Sequence, residues 1–131
     1  MSTELITPEF IEDLRIACEQ NPEFVIATAF ADTRLVLAFG NQRYFWKIYK
    51  SRIIDSIPFV TSFDPLGYDV IVQAPLEVWR SIAGRRSKVW DHFNGFELEI
   101  GGNHLEAHRM HEAILIICQD LIPEIAGRRT Q

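Results

Sequence analysis

The chain has 131 residues and a formal net charge of −5, and 47% of its residues are hydrophobic. This length suits a single core, so we expect one domain over residues 1–131, and the composition excludes a disordered chain. The acidic balance gives no general attraction to nucleic-acid phosphates, so no nucleic-acid partner is expected. Aromatic residues make up 11% of the chain, which predicts either a very aromatic core or an aromatic enclosure.

Cysteine use and the chain start point to the same compartment. Cys18 and Cys118 lie far apart in predicted helices, which indicates buried free thiols rather than a redox pair or a zinc site. No basic segment precedes an apolar run at the start, and no window approaches the roughly 20 apolar residues of a membrane span. These features predict a cytoplasmic protein with no integral membrane segment.

The first predicted element is a helix. Thr7 has the properties of an N-cap and Pro8 suits the first helical position. Apolar residues then recur at three- and four-residue steps until Asn21 and Pro22, where we expect the helix to end.

Extended apolar runs follow. Residues 24–30 and 35–39 predict a hairpin of two strands. After a turn at Gly40 and Asn41, a single long strand is expected from about residue 43 to about residue 56, with Trp46 and Ile48 on the same face.

The second half alternates short elements and ends with a long helix. Pro75 and Gly84 bound one short helix, and Asn94 with Gly95 closes another. The predicted order is a loop at 58–67, a strand at 68–74, a helix at 76–80 ending at Gly84, a helix at 89–93, a strand at 97–100 and a helix from about 103 to about 121. This order indicates an α+β fold in which the first and last helices cover one face of an antiparallel sheet.

A resemblance to a known family rests on residues 68–79, on Ala83 and Gly84, and on residues 90–103. Here a strand is followed by a helix that ends at a glycine, and then by a short helix that ends at a second glycine. A further strand then ends at glycine residues that connect it to the final helix. This arrangement resembles the sterol carrier protein 2 family, most clearly over about residues 68–121. The resemblance implies a five-stranded sheet packed by helices around an apolar tunnel for sterols, fatty acids, acyl-CoA or similar lipids.

The ligand-binding residues expected in such a tunnel come from the third strand, the second-half aromatic segment and the final helix. The alternative interpretation is that the same side chains simply fill a core. They are Trp46, Ile48, Trp90, Phe93, Phe96, Met110, Ile114 and Ile117.

Polar residues offer a second function. His104, His108 and His111 share one face of the final helix, but a metal site would need another ligand and no HExxH pattern is present, so no metal or other cofactor is predicted. A carboxylate aimed into an apolar cavity would have a raised pKa suited to proton transfer. The alternative hypothesis is therefore a small isomerase, hydratase or lyase that uses Asp69, Asp55, His108 or His111.

Two further interpretations remain. Arg85, Arg86 and Lys88 suit a solvated loop, with contact to the phosphates of a CoA ester as the alternative. A homodimeric interaction module is a third function. The leading hypothesis is a non-enzymatic domain that binds a hydrophobic small molecule between the sheet and the last helix.

Overall fold

The computed structural model describes residues 6–58, 68–84 and 98–129. Helix α1 spans Pro8–Gln20, and the Thr7 hydroxyl accepts a hydrogen bond from the Phe10 N–H at 3.1 Å, as a capping residue does. Its buried face consists of Phe10, Ile11, Leu14 and Cys18. The predicted first helix is confirmed.

The strand predicted at residues 24–30 is wrong, because helix α2 spans Pro22–Ala27. The Asn21 side chain accepts a hydrogen bond from the Phe24 N–H at 2.9 Å, and Pro22 occupies the first turn. A capped proline start thus outweighs the β-branched composition of this segment. Phe24 anchors the helix in the core, whereas Ile26 is 72% exposed.

The hairpin forms later in the chain than predicted, from residues 32–49. Strand β1 spans Asp32–Phe39 and strand β2 spans Gln42–Tyr49, and they pair antiparallel around the predicted turn at Gly40, where φ is +64°. Strand β3 follows at Arg52–Pro58. The single strand predicted over 43–56 is therefore two strands, which are joined by a turn that begins at Lys50.

The sheet is mixed, so the antiparallel sheet predicted for this fold is a partial error. Strand β4, Val70–Ala74, lies beside β1 and runs parallel to it, and strand β5, Glu99–Gly102, pairs antiparallel with β4. The strand order is β3-β2-β1-β4-β5. A hairpin partner of β3 would run antiparallel to β3, whereas β4 lies on the far side of β1 and runs in the same direction as β1.

Helix α3 spans Leu76–Ala83 and ends at Gly84, as predicted. The C-terminal helical segment is longer and less regular than predicted. It consists of α4 at His104–Arg109, α5 at His111–Leu115, a π-helical stretch at Ile116–Leu121 and α6 at Ile122–Arg129.

Pro123 lies inside this segment rather than beyond its end. Proline interrupts an ordinary helix because it lacks an N–H and its ring meets the carbonyl one turn earlier. The wider π turn immediately before Pro123 accommodates the ring, so the helical segment continues to Arg129.

The helices cover one face of the sheet. Leu35, Leu37 and Val72 point toward them and are fully buried. The opposite face carries a smaller apolar cluster of Val36, Ala38 and Ile71, against which Phe45 and Tyr68 pack. Among the described helices, none has the length and apolar character needed to cross a bilayer.

Candidate functional site

The layer between the sheet and the C-terminal helical segment, here called the inner layer, holds five of the predicted ligand-binding residues. Strand β2 contributes two of them and the C-terminal segment contributes three. Each is at most 2% exposed, and all belong to one apolar cluster: Trp46, Ile48, Met110, Ile114 and Ile117. Trp90, Phe93 and Phe96 lie outside the described residues, and so does the basic group of Arg85, Arg86 and Lys88.

The aromatic rings of the inner layer have satisfied polar atoms. The Trp46 indole N–H donates to the Ser56 hydroxyl at 2.9 Å, and the Trp79 indole N–H donates to the Ala38 carbonyl at 2.9 Å. The ring of Phe39 stacks at a tilt against Trp79, with 4.7 Å between centroids. Apart from these two indole N–H groups and the Tyr44 hydroxyl, the rings present apolar surface to the layer.

Phe39 and Trp79 are core residues that no pattern in the sequence places near a site. Trp79 lies in a short amphipathic helix, and Phe39 is the last residue of β1. A bulky residue at the end of a strand is a weak signal, because its neighbours come from distant parts of the chain.

An open groove lies at the end of the sheet where β1 and β4 finish. Its volume is about 910 Å³, within the range of small-molecule sites. Its lining comes from the end of β1, the turn into β2, the end of β4, the start of α3 and the start of β5: Phe39, Gly40, Asn41, Gln42, Gln73, Ala74, Pro75, Leu76, Glu77, Val78 and Glu99. We call it the β1–β4 groove.

Asp69 forms an ion pair on the opposite face of the sheet from the inner layer. Its carboxylate accepts the Arg34 backbone N–H at 2.8 Å and lies 3.2 Å from the Arg34 guanidinium. Burial acts to raise the pKa of Asp69, but the hydrogen bonds from Arg34 and the positive charges of Arg34 and Lys47 lower it overall. This is opposite to the raised pKa expected of a general acid or base in an apolar cavity.

The other predicted proton-transfer residues do not gather in one place. Asp55 is exposed on β3, where it lies opposite Lys47 in the antiparallel register of β2 and β3. His108 is exposed and His111 is half-buried on the C-terminal segment. Within residues 6–58, 68–84 and 98–129, no three histidine, cysteine or acidic side chains come together as metal ligands.

Both cysteines are buried thiols. Burial raises the pKa of Cys118 to about 12, and burial together with the charge of Glu19 raises the pKa of Cys18. Neither is the activated thiolate of a nucleophilic site.

No protein-family model and no curated protein sequence matches the chain. Solved structures do. A crystal structure of sterol carrier protein 2 superposes with a TM-score of 0.67 at 12% identity, over 94% of this chain and 97% of that one. A possible sterol carrier protein from Thermus thermophilus gives 0.66 at 14% identity, over 97% and 90%.

A third structure is palmitated SCP2L2 from Aedes aegypti, with a TM-score of 0.59 at 18% identity, over 87% of this chain and 95% of that one. At such low identities the likeness concerns the fold. The resemblance found in the second half of the sequence therefore extends over nearly the whole chain, and this protein has the fold of sterol carrier protein 2.

Proposed function

We propose that this protein binds a lipid-like molecule, such as a sterol, a fatty acid or an acyl-CoA, in the inner layer between the sheet and the C-terminal helical segment. The observation that carries the proposal is the near full-length likeness of fold to sterol carrier proteins, one of which is palmitated. Five residues predicted from the sequence to contact a ligand are buried members of the apolar cluster on this side of the sheet, which supports the proposal.

The chemistry of the layer supports an apolar ligand. The five residues offer aliphatic, thioether and aromatic surface and no charged group. Burial of apolar ligand surface contributes about 25 cal/mol per Å², which suffices for binding with few polar contacts.

The irregular C-terminal segment supports a layer that can open. Met110 separates α4 from α5, although its N–H donates to the Glu106 carbonyl and its carbonyl accepts the Ile114 N–H as in an α-helix. The π turn at Ile116–Leu121 then ends the ladder of α-helical hydrogen bonds soon after Ile114. We expect this part of the segment to separate from the sheet at lower cost than an unbroken helix would.

The enzymatic alternative has less support. Its first candidate, Asp69, is held in an ion pair with a lowered pKa. Asp55 and His108 are exposed on separate elements. We therefore favour binding over proton transfer.

The test uses delipidated protein and long-chain probes below their micelle concentrations. Palmitate, a long-chain alcohol and a sterol are titrated while the melting temperature is followed, and dibrominated stearate is used to quench tryptophan fluorescence. We expect at least one probe to raise the melting temperature, by mass action on the folded state. We also expect the brominated chain to quench Trp46. No effect of any probe on either measurement would reject the proposal.

A matched pair of variants locates the site. Ile114→Ala changes the inner layer, whereas Ile71→Ala removes an equally buried side chain from the opposite face. Each should cost about 2–5 kcal/mol of stability. Only Ile114→Ala should change the affinity for the probe, and equal effects of both variants on affinity would place the ligand elsewhere.

A further inference from the structure

Two neighbouring turns form one surface at the end of the sheet where β1 begins. The first comprises the end of α2 and the turn after it, residues 26–31, and the second joins β2 to β3 at residues 49–52. We call them the turn pair. We infer that the turn pair binds to the surface of a lipid bilayer, with its apolar side chains among the headgroups and its basic side chains at the lipid phosphates. Bilayer binding goes beyond the proposed function, because it requires no ligand in the inner layer.

Hydrogen bonds hold the two turns together. The Lys50 N–H donates to the Ala31 carbonyl at 2.8 Å, and the Ser51 N–H donates to the Thr28 carbonyl at 2.9 Å. The Ser51 hydroxyl also donates to the Val25 carbonyl at 2.6 Å. Lys50 and Ser51 have φ values of 48° and 73°, which residues other than glycine adopt only where surrounding contacts hold them. The turn pair is therefore one hydrogen-bonded unit.

Large apolar side chains of the turn pair lie in solvent. Ile26 is 72% exposed, Phe30 is 71% exposed and Tyr49 is 42% exposed. They make up half of the six large apolar side chains that are exposed in the described part of the chain. Single exposed apolar residues are common on protein surfaces, whereas several at neighbouring positions mark a site of interaction.

The basic side chains of the turn pair have no carboxylate partner. The Lys50 ammonium lies 5.3 Å from the centre of the Tyr49 ring, and neither Lys50 nor Arg52 forms an ion pair with a described residue. Asp32, which follows the first turn, is paired with Lys47 instead. Unpaired cations beside exposed aromatic and aliphatic side chains are typical of proteins that bind at the membrane interface.

The size of the turn pair favours a bilayer over a second copy of the chain. Side chains of this size bury about 150–250 Å² each, so the exposed parts of the three offer less than about 500 Å². A stable protein interface buries roughly 800 Å² on each partner. A bilayer needs no complementary face, because single side chains enter the headgroup region. Its phosphates also complement Lys50 and Arg52, since Glu23, the acidic residue of α2, lies in the first turn of that helix, away from the turn pair.

The test measures the binding of the full, delipidated chain to sucrose-loaded vesicles by sedimentation. The vesicles consist of phosphatidylcholine alone or of an equimolar mixture with phosphatidylglycerol. We expect binding to both, tighter to the anionic mixture, with the difference falling as salt is raised. No binding to either vesicle would overturn the inference and leave ligand binding in the inner layer intact.

Ile26→Ser and Ile16→Ser are a matched pair, because each removes an exposed isoleucine from a helix. Ile16 lies on α1, in a groove that is also lined by Leu121 and Arg128. Ile26→Ser should weaken vesicle binding about tenfold or more, through loss of apolar burial, and Ile16→Ser should leave it unchanged. The melting temperatures check that both variants fold. Equal losses of affinity would overturn the inference.

Arg52→Gln and Arg128→Gln change the net charge equally at different places. Arg52 belongs to the turn pair, whereas Arg128 is paired with Glu124 on α6. Arg52→Gln should weaken binding to the anionic vesicles about three- to fivefold, as expected for a basic residue at the membrane surface, and Arg128→Gln should have little effect. Equal effects would show that net charge alone attracts the chain and would overturn the inference.

Sedimentation equilibrium tests for a second copy on the same surface. A dimer that Phe30→Ser dissociates, without vesicle binding by the parent chain, would overturn the inference in favour of self-association. A monomer that binds vesicles supports it. Failure of the long-chain probes to bind would reject the proposed function and leave vesicle binding unaffected, so the two proposals fail separately.

Discussion

The Asp69 carboxylate accepts the backbone N–H of Arg34 at 2.8 Å and forms an ion pair with its guanidinium at 3.2 Å. The Asp69 N–H in turn donates to the Arg34 carbonyl at 2.9 Å, and the Asp69 carbonyl accepts the Asn103 N–H at 2.8 Å. One residue therefore connects β1, the start of β4 and the end of β5. This is a structural role at the point where the parallel pair begins.

Asp69→Asn should lower the free energy of unfolding at pH 7 by about 1 kcal/mol, because it removes an ion pair and weakens a charge-assisted hydrogen bond at a partly exposed site. The folded pKa lies below the ordinary value of 3.8. The stabilisation is therefore present above that value and is lost as the pH falls through the folded pKa. Urea unfolding at pH 7 and near pH 2 should show that the difference in the free energy of unfolding between wild type and variant disappears in acid.

Asp32→Asn is the control for this measurement, since the Asp32 carboxylate pairs with Lys47 but is 65% exposed. We expect a cost smaller than that of Asp69→Asn. An equal cost in both variants, or a gap that widens in acid, would contradict the role assigned to Asp69.

Gly102→Ala should destabilise the protein by about 2 kcal/mol or more. Gly102 has a φ of +99°, and a Cβ there would overlap the Asp69 carbonyl oxygen and lie 3.1 Å from the Val70 Cα. Gly127→Ala is the matched change, because a Cβ at that helical position meets nothing within 4 Å. It should be neutral or stabilising by up to about 1 kcal/mol. Thermal unfolding of both variants checks the contrast.

Trp79→Phe should cost more stability than Trp46→Phe, by about 1 kcal/mol. The Trp79 N–H donates to the Ala38 carbonyl in a buried hydrogen bond, whereas the Trp46 N–H donates to Ser56 at a partly buried site. Removal of the first deletes a hydrogen bond that is fully buried, and removal of the second leaves a hydroxyl that water can reach. Urea midpoints of the two variants decide between this order and its reverse.

Helices with a capping residue and a proline at their start are largely predictable. Thr7 with Pro8 predicts α1 correctly. Asn21 with Pro22 carries the same signature for α2, but the apolar, β-branched run that follows favours a strand, so the pair predicts only the end of α1. Phe24 is the single buried residue of that helix, so no helical apolar stripe marks it.

The turn between β2 and β3 depends on tertiary contacts. Lys50 and Ser51 have φ values of 48° and 73°, without the glycine or asparagine that usually signals such a turn. The Lys50 N–H donates to the Ala31 carbonyl, and the Ser51 N–H donates to the Thr28 carbonyl. These partners lie about twenty residues earlier, which a local pattern does not reveal.

The site was predictable only in part for the same reason. Strand alternation correctly places Trp46 and Ile48 on one face, and helical spacing groups Ile114 with Ile117. The β1–β4 groove combines residues from three separate segments of the chain, 39–42, 73–78 and Glu99. No local spacing joins them, because the parallel pairing of β1 with β4 creates their proximity.

Cys18 and Cys118 should not react with a thiol reagent such as dithionitrobenzoate in the native state at pH 8. Both side chains are fully buried, and burial raises the pKa of each thiol, that of Cys118 to about 12, so both stay protonated and shielded. Thiolate is the reactive form, and it becomes available only when α1 separates from the π-helical stretch or the chain unfolds. The reaction rate should therefore follow the unfolding equilibrium as urea is added, with two thiols per chain titrated in the unfolded state. Rapid reaction of either thiol without denaturant would show that the contact between α1 and the C-terminal segment opens far more readily than its burial indicates.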